Sequence, residues 1–502
     1  MKKLRAASKT DQRCITRHAL GWYRALVITG LYTQQPGEST SSNTFDTFNV
    51  DSYIPILKSC VATYPILSAA IRNEGSQNPE FVRPDHLDLR KHIAIAQPGP
   101  VDSGDGNEDY ELALLKRVTL TTHDEMFRDV GTVPPWRVVI LPVPPSDHSR
   151  GQRVYILFAY SHSHGDGRSG LNFHKTFLEG LDSEHGHDHD PMYKTTNLPP
   201  LPPPLEEVCN LRISWLFLLA VLMGPYLPDR LRDWLGLRGL LAHPTPDTWL
   251  GTPMRYEEDD FRTASEILIL PKETVEGVLV ACRAHGAKFT GLLNHVIVHV
   301  LSRVLPFSGS FIGNIVVDLR HLVKGYTEDD MVNAVSSVLE VSARVDSSYD
   351  DDGAHIKQHE AMWTAARKTT THLAARANTT SGQPIGLIKY VSNIRDWYTG
   401  QLGKDRSSSY EISNLVSFDP RRGSTQQKKT AWDIERVFFS QPANVTGCPL
   451  NFQVVSRKGG GMVITINWQV GVLGVDDEDI FVKEVAKGIE QLLADIAVDS
   501  SS

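Results

Sequence analysis

The chain has 502 residues, 41% of them hydrophobic, which is enough to bury large cores in two or three domains. Its net charge is −8 and its pI about 6.2, and no Lys/Arg run is long enough to track phosphates, so nucleic acid is excluded as a partner. Five scattered cysteines (Cys14, Cys60, Cys209, Cys282, Cys448) form no Cys-x-x-Cys pair, which excludes a disulfide framework or zinc ribbon and points to a reducing, cytoplasmic compartment.

The start of the chain is basic (Lys2, Lys3, Arg5), but polar residues follow and Arg24 interrupts the first apolar run, so no secretory signal is expected. Asn378-Thr379-Thr380 and Asn444-Val445-Thr446 match the glycosylation pattern and carry no meaning without such a signal. Residues 51–71 repeat apolar side chains at helical spacing (Ile54, Leu57, Val61), and Pro65 ends that helix or opens a tight turn. A second helix is expected over about 109–120. A hairpin follows, Trp136–Val143 and Arg153–Tyr160, both rich in β-branched and aromatic residues. The second strand runs into Ser161-His162-Ser163-His164-Gly165-Asp166-Gly167, and 171–181 is again helical. Residues 185–190 and 199–204 read as a polar, proline-rich linker.

From Ile213 to Leu227 the chain is uncharged, yet shorter than the roughly 20 apolar residues that a span needs. A buried helix or a membrane-surface helix fits better than a spanning one. A second domain is expected to open near Gly251 with a strand over 264–270 and helices over 272–284 and 290–305. Further strands are expected over 311–319, 411–418, 451–457 and 461–470, a long helix over 354–377 and a closing helix over 479–496. The expected organisation is therefore 1–205, a connecting segment 206–250, and 251–502.

His162 at a strand end can face a cleft, and imidazole titrates near neutrality, so it can take a proton from an attacking hydroxyl. Asp166, four residues later, points back into protein or caps the next helix, and Gly167 permits a tight turn. Gly165-Asp166-Gly167-Arg168-Ser169-Gly170 also matches Gly-x-Gly-x-x-Gly, but a His/Asp-rich and proline-rich linker follows where a dinucleotide fold needs a second parallel strand. His185, His187 and His189 lie among acids in a loop. The pairs His295/His299 and His355/His359 lack a third ligand, so no metal is expected. Ser169 sits in Gly-Arg-Ser-Gly, which is not a nucleophile elbow.

The segment His162-Ser163-His164-Gly165-Asp166-Gly167 resembles the His-x-x-x-Asp-Gly motif of the coenzyme A-dependent acyltransferase superfamily. Tyr64-Pro65-Ile66-Leu67, Pro135-Trp136-Arg137, Asp318-Leu319-Arg320 and Ser413-Asn414-Leu415 are similar to further signatures of that superfamily, with Val416 where glycine is usual. The fungal alcohol acetyltransferases resemble the chain most in this reading. Ser161 before the motif disfavours a condensation domain, and the absence of Asp-Phe-Gly-Trp-Gly disfavours a plant-type enzyme.

The resemblance implies an α/β fold of two chloramphenicol-acetyltransferase-like subdomains, each a mixed sheet with flanking helices, around a central tunnel. It implies an acyl-CoA co-substrate, acetyl-CoA above all, a small-molecule alcohol as acceptor, and no permanently bound cofactor. His162 would deprotonate the alcohol for direct attack on the thioester. Asp166 would be structural and pair with Arg320, while Asn414 would support the site. Asp166→Asn is expected to be milder in stability than Asp166→Ala, since an amide keeps the shape and some hydrogen bonds. A thioester or ester hydrolase and a non-catalytic acyl-binding relative are the alternatives. The expected enzyme is a monomer, with peripheral endoplasmic-reticulum or lipid-droplet contact through the 213–227 segment.

Overall fold

The computed structural model describes residues 1–34, 45–97, 110–143, 152–182, 188–223, 227, 231, 244–345, 352–422 and 431–499. Two sheets organise it. At the centre of the first is β8 (Arg153–Tyr160), antiparallel to β2 (Leu26–Gln34) on one side and to β7 (Trp136–Val143) on the other. β6 (Ile93–Ile95) adds in parallel beyond β7, and β14 (Trp432–Ser440) adds antiparallel beyond β2. From Val154 on, every residue of β8 is buried, because both faces are covered. The helix Gly167–Asp182 supplies one cover, stacking Phe173 on Phe158 at 3.8 Å between ring centres.

The second sheet has the order β10 (Thr263–Leu270), β16 (Met462–Gln469), β15 (Leu450–Arg457), β13 (Tyr410–Phe418), β11 (Ser310–Asp318), β12 (Val335–Ala343). β13 runs parallel to both neighbours and the remaining pairs are antiparallel. Helices Lys272–Ala284, Phe289–Val304, Asp352–Ala377 and Glu478–Asp499 follow the expected order. A small sheet joins β1 (Lys2–Ala6), β4 (Glu80–Arg83) and β3 (Ala70–Arg72), and β5 (His86–Asp88) pairs with β9 (Met192–Lys194). The strand β9 falls between the two stretches expected as linker, 185–190 and 199–204, and His185 and His187 lie outside the described residues. Pro65 does both things foreseen for it: the helix Ile54–Thr63 stops at Tyr64 and a 3-10 turn, Pro65–Ser68, begins.

The division at residue 251 needs correction. β14 lies far beyond it in sequence, yet it pairs along β2, and Val437, Phe438 and Phe439 sit in the core of the N-terminal sheet. Two halves exist, but the second lends a strand to the first.

Within the apolar segment, Trp215–Met223 is a helix of 9 residues. Among the described residues no helix is long and apolar enough to cross a membrane. Phe217 is buried and Leu218 reaches the wall of the central cavity, whereas Trp215 and Leu219 are 79% and 51% exposed. Trp215, Leu219 and Met223 are spaced by four and share one exposed face.

Candidate active site

β8 ends at Tyr160, and the chain turns through 161–166 into the helix Gly167–Asp182. Backbone bonds fix the turn: Ser161 N–H donates to Pro135 C=O at 2.9 Å and His164 N–H to Ser161 C=O at 2.8 Å. The half-buried His162 forms part of the wall of a cavity of about 1250 Å³. Arg17, Tyr23 and Gly167 line it from the N-terminal half, and Asn314, Glu411 and Asn414 from the C-terminal half. His164 points the other way. Its Nε2 lies 2.8 Å from Ala69 C=O, its ring packs edge-on to Phe81, and burial lowers its pKa to about 4, so it is neutral.

Asp166 is buried and is reached from both halves. Arg320 Nη2 lies 2.9 Å and 3.0 Å from its two oxygens. Ala334 N–H donates to Oδ2 at 3.1 Å and Ser169 N–H to Oδ1 at 3.2 Å, the latter a helix N-cap contact. Burial pushes the carboxyl pKa up, but the Arg320 charge and these donors outweigh it and hold the group below the usual carboxylate range. Arg320 also donates from Nη1 to Asp318, at 3.2 Å and 3.3 Å, and its pKa is raised despite its own burial.

Gly167 is not the tight-turn residue expected. It opens the helix without a positive φ, and its value is close approach: a Cβ there would lie 2.6 Å from Leu415 Cδ2 and 3.2 Å from Phe439 Cζ. Asn414 Nδ2 donates to Thr290 Oγ1 at 3.0 Å, and its Oδ1 accepts from Val416 N–H at 2.7 Å. Val416 has φ 56°, at a register shift between β13 and β15, a backbone state that suits glycine.

Three residues around His162, Asn333, Cys14 and Tyr23, carry no motif and were missed. Asn333 Nδ2 lies 3.1 Å from His162 Nδ1, 3.1 Å from the His162 carbonyl and 3.4 Å from Cys14 Sγ. Cys14 is on the helix Lys9–Ala19, also not foreseen, which starts in a capping box between Ser8 and Asp11. Tyr23 packs on His162 with ring centres 5.6 Å apart. A polar chain continues from it: Tyr23 OH donates to Gln441 Oε1 at 2.8 Å, Gln441 Nε2 to Glu411 at 3.2 Å, and Asn314 Nδ2 to Glu411 at 2.9 Å. Burial raises the Glu411 pKa.

The dinucleotide motif is set aside by topology. β8 has only antiparallel neighbours, so no βαβ unit surrounds Gly165. Among the described residues no group of three His, Cys, Asp or Glu side chains converges on a metal site. His295 bonds Thr369 and His299 bonds the His295 carbonyl, so this pair is engaged within the helix packing. His359 accepts from Trp363.

The alcohol acetyltransferase family model matches residues 103–233, the stretch that holds the motif and the apolar segment. A probable alcohol acetyltransferase of Aspergillus fumigatus is 27% identical over 440 residues, covering 84% of this chain and 86% of that protein. One of Fusarium pseudograminearum is 25% identical over 423 residues, covering 82% and 80%. The chain is a relative of the fungal alcohol acetyltransferases. Its activity is of the acetyltransferase type. Among solved structures, a trichothecene 15-O-acetyltransferase of Fusarium sporotrichioides superposes with a TM-score of 0.66 at 13% identity, covering 96% of this chain and 93% of that one. The condensation domain of the monacolin K polyketide synthase gives 0.57 at 11% identity, with 99% of each chain covered. These likenesses show the fold, two α/β halves of the chloramphenicol-acetyltransferase type.

Proposed function

We propose that this relative transfers an acetyl group from acetyl-CoA to the hydroxyl of a small-molecule alcohol, with His162 as general base. The observation that carries the reading is the position of His162. It lines a cavity of about 1250 Å³, from a turn clamped through Asp166 by Arg320 of the other half. In this reading the alcohol gives its proton to His162 as its oxygen attacks the thioester carbonyl. The C–S bond then breaks, and His162 returns the proton to the leaving thiolate. Asp166 and Arg320 hold the turn, and Asn414 supports the opposite wall through Thr290.

The test is incubation with acetyl-CoA and a panel of alcohols, following both thiol release and ester. Ester in step with thiol supports transfer. Thiol without ester makes the chain a hydrolase, and no thiol at all makes it a binding protein. Initial-rate plots should intersect, because attack is direct; parallel plots would mean an acyl-enzyme.

We further propose a monomer in a reducing cytoplasmic setting, in keeping with five unpaired, buried cysteines. The exposed face of Trp215, Leu219 and Met223 supports peripheral contact with an endoplasmic-reticulum or lipid-droplet surface. Carbonate at high pH should strip any bound fraction, and protein that stays in the pellet would overturn this.

A further inference from the structure

The helix Lys9–Ala19 turns two arginines toward the cavity. Arg13 and Arg17 are four residues apart, which puts both on one face, and both stand in the wall that holds His162. Like charges at this spacing repel, and a buried guanidinium without an anion is costly. Yet Arg17 is only 8% exposed, and the Nε atoms of both side chains are buried without a hydrogen-bond partner. Among the described residues no carboxylate comes within ion-pair distance of either.

The other two arginines of the wall differ. Arg168 has Asp318 and Glu328, and Arg320 has Asp166 and Asp318. Arg17 meets the Cys14 sulfur, 3.7 Å from Nη2, and the face of Tyr23, with 4.7 Å from Cζ to the ring centre. Burial raises the Cys14 pKa, and the charge that most lowers it is a protonated His162, so beside a neutral base the sulfur is a thiol and a weak acceptor. Glu411, an acid of the same cavity, is engaged through one oxygen by Gln441 and through the other by Asn314. Two cations therefore face the cavity without a protein anion.

The place of the pair selects its ligand. Tyr23 also packs on His162, at 5.6 Å between ring centres, so one phenol ring is shared by the cation and the base. In acetyl-CoA the whole pantetheine arm separates the thioester carbonyl from the nearest phosphate, too long a reach for a cation one ring from the base. A group on the acceptor, a few bonds from its hydroxyl, fits. Guanidinium matches a carboxylate through paired N–H bonds. With Glu411 counted against Arg13 and Arg17, one positive charge is left over, which suits a monoanion.

We propose that Arg13 and Arg17 bind a carboxylate of the acceptor, so that the alcohol acetylated at His162 is a hydroxy acid. This deepens the function proposed above and rests on His162 being the base. The carboxylate is held and does not react. The hydroxyl proton goes to His162, the new C–O bond forms, the C–S bond breaks, and the acid keeps its charge on its own oxygens.

Two measurements on the full chain test it, with aliphatic and aromatic hydroxy acids and their methyl esters as probes. The first is thermal melting without acetyl-CoA, which needs no turnover. The acids should raise Tm, more at low salt than at high, and the esters should not. Arg13→Gln and Arg17→Gln should lose the shift. Arg17→Lys, which keeps a charge, should retain part of it, an outcome that lost packing alone would not give. The second is transfer. An acid should exceed its ester in kcat/KM roughly tenfold to a hundredfold. Arg17→Gln should bring that ratio near one through the KM of the acid, while the KM of acetyl-CoA holds. Equal melting shifts and equal rates for acids and esters overturn the proposal. So does a raised KM for acetyl-CoA in Arg17→Gln with the acid preference intact, which would give the pair to a coenzyme A phosphate. If the acids shift Tm through both arginines while His162→Ala keeps full activity, the base assignment fails rather than the carboxylate site.

Discussion

Breaking the Asp166–Arg320 pair tests how the site is held, and the structure predicts an asymmetry. In Asp166→Ala, Arg320 keeps the Asp318 carboxylate and the Val332 carbonyl, 3.2 Å from Nη2, so its charge is not stranded. In Arg320→Ala, the buried Asp166 keeps only neutral donors and faces Asp318 without a cation between them. Removing one member of a buried pair costs about 3–5 kcal/mol. Asp166→Ala should fall near the lower end and Arg320→Ala near the upper. The double variant should recover up to about 3 kcal/mol of the sum as coupling. Asp166→Asn should not be mild, contrary to the expectation from shape. Each oxygen accepts from Arg320 and from a backbone N–H, so an amide nitrogen meets a donor in either orientation. The sign with pH follows. Ionised Asp166 stabilises the wild type above the ordinary carboxylate pKa of about 4, and that contribution is lost as pH falls through its depressed native value. Without Arg320 burial raises the native pKa, so the deficit of Arg320→Ala should shrink on acidification. Urea midpoints at an unchanged m-value measure all of this. Strictly additive deficits, or Asp166→Asn matching the wild type, would refute the pairing argument.

Other outcomes are expected. His162→Ala should lose about 10²–10⁴-fold in rate. His164→Ala should mainly lower thermal stability, since that ring serves Ala69 and Phe81, and the reverse ranking in paired kinetic and melting assays would mean the wrong ring was chosen. Val416→Gly should raise stability by about 1 kcal/mol in a urea titration, because a half-exposed β-branched residue is replaced where φ is 56°. His92, His123, His164 and His174 are buried neutral with pKa values lowered to about 4, chiefly by burial. The unfolded chain then binds more protons below about pH 6.5, and stability should fall with acidification from there toward about 4, by up to about 1.4 kcal/mol per pH unit for each ring. A flat urea midpoint across that window would contradict the burial of these rings.

The hairpin β7/β8 and the turn after it were legible because their signals are local: β-branched runs, a turn, and residues within one motif. The helix Lys9–Ala19 was not, since it buries Thr10, Arg17 and His18, residue types that read as solvated. β2 escaped as well. Its run LVITGLYTQ carries Gly30 in the middle, which weakens a strand pattern, yet a Cβ there would lie 2.7 Å from the Tyr32 ring and 3.2 Å from His174 Nδ1. Asn333 stands 171 positions from His162, with no periodicity or motif to join them. Only the fold brings that amide to the ring.

The contribution of β14 to the N-terminal sheet explains why site and fold cannot be separated at residue 251. A chain cut there would leave β2 with an unpaired edge along residues 27–34, a row of open backbone donors and acceptors. It would also strip Asp166 of Arg320, Ala334 and the Val332 carbonyl that its own N–H meets. The His162 turn is thus anchored on its Asp166 side by what the second half brings, in addition to its own backbone bonds, while the strand that delivers the turn is stabilised by β2 and, through it, by β14. Rigidity of the base and closure of the two halves are the same set of contacts. A substitution that loosens the interface at Gly167, Leu415 or Phe439, all three in the cavity wall, therefore acts on the position of His162 as well as on the wall itself.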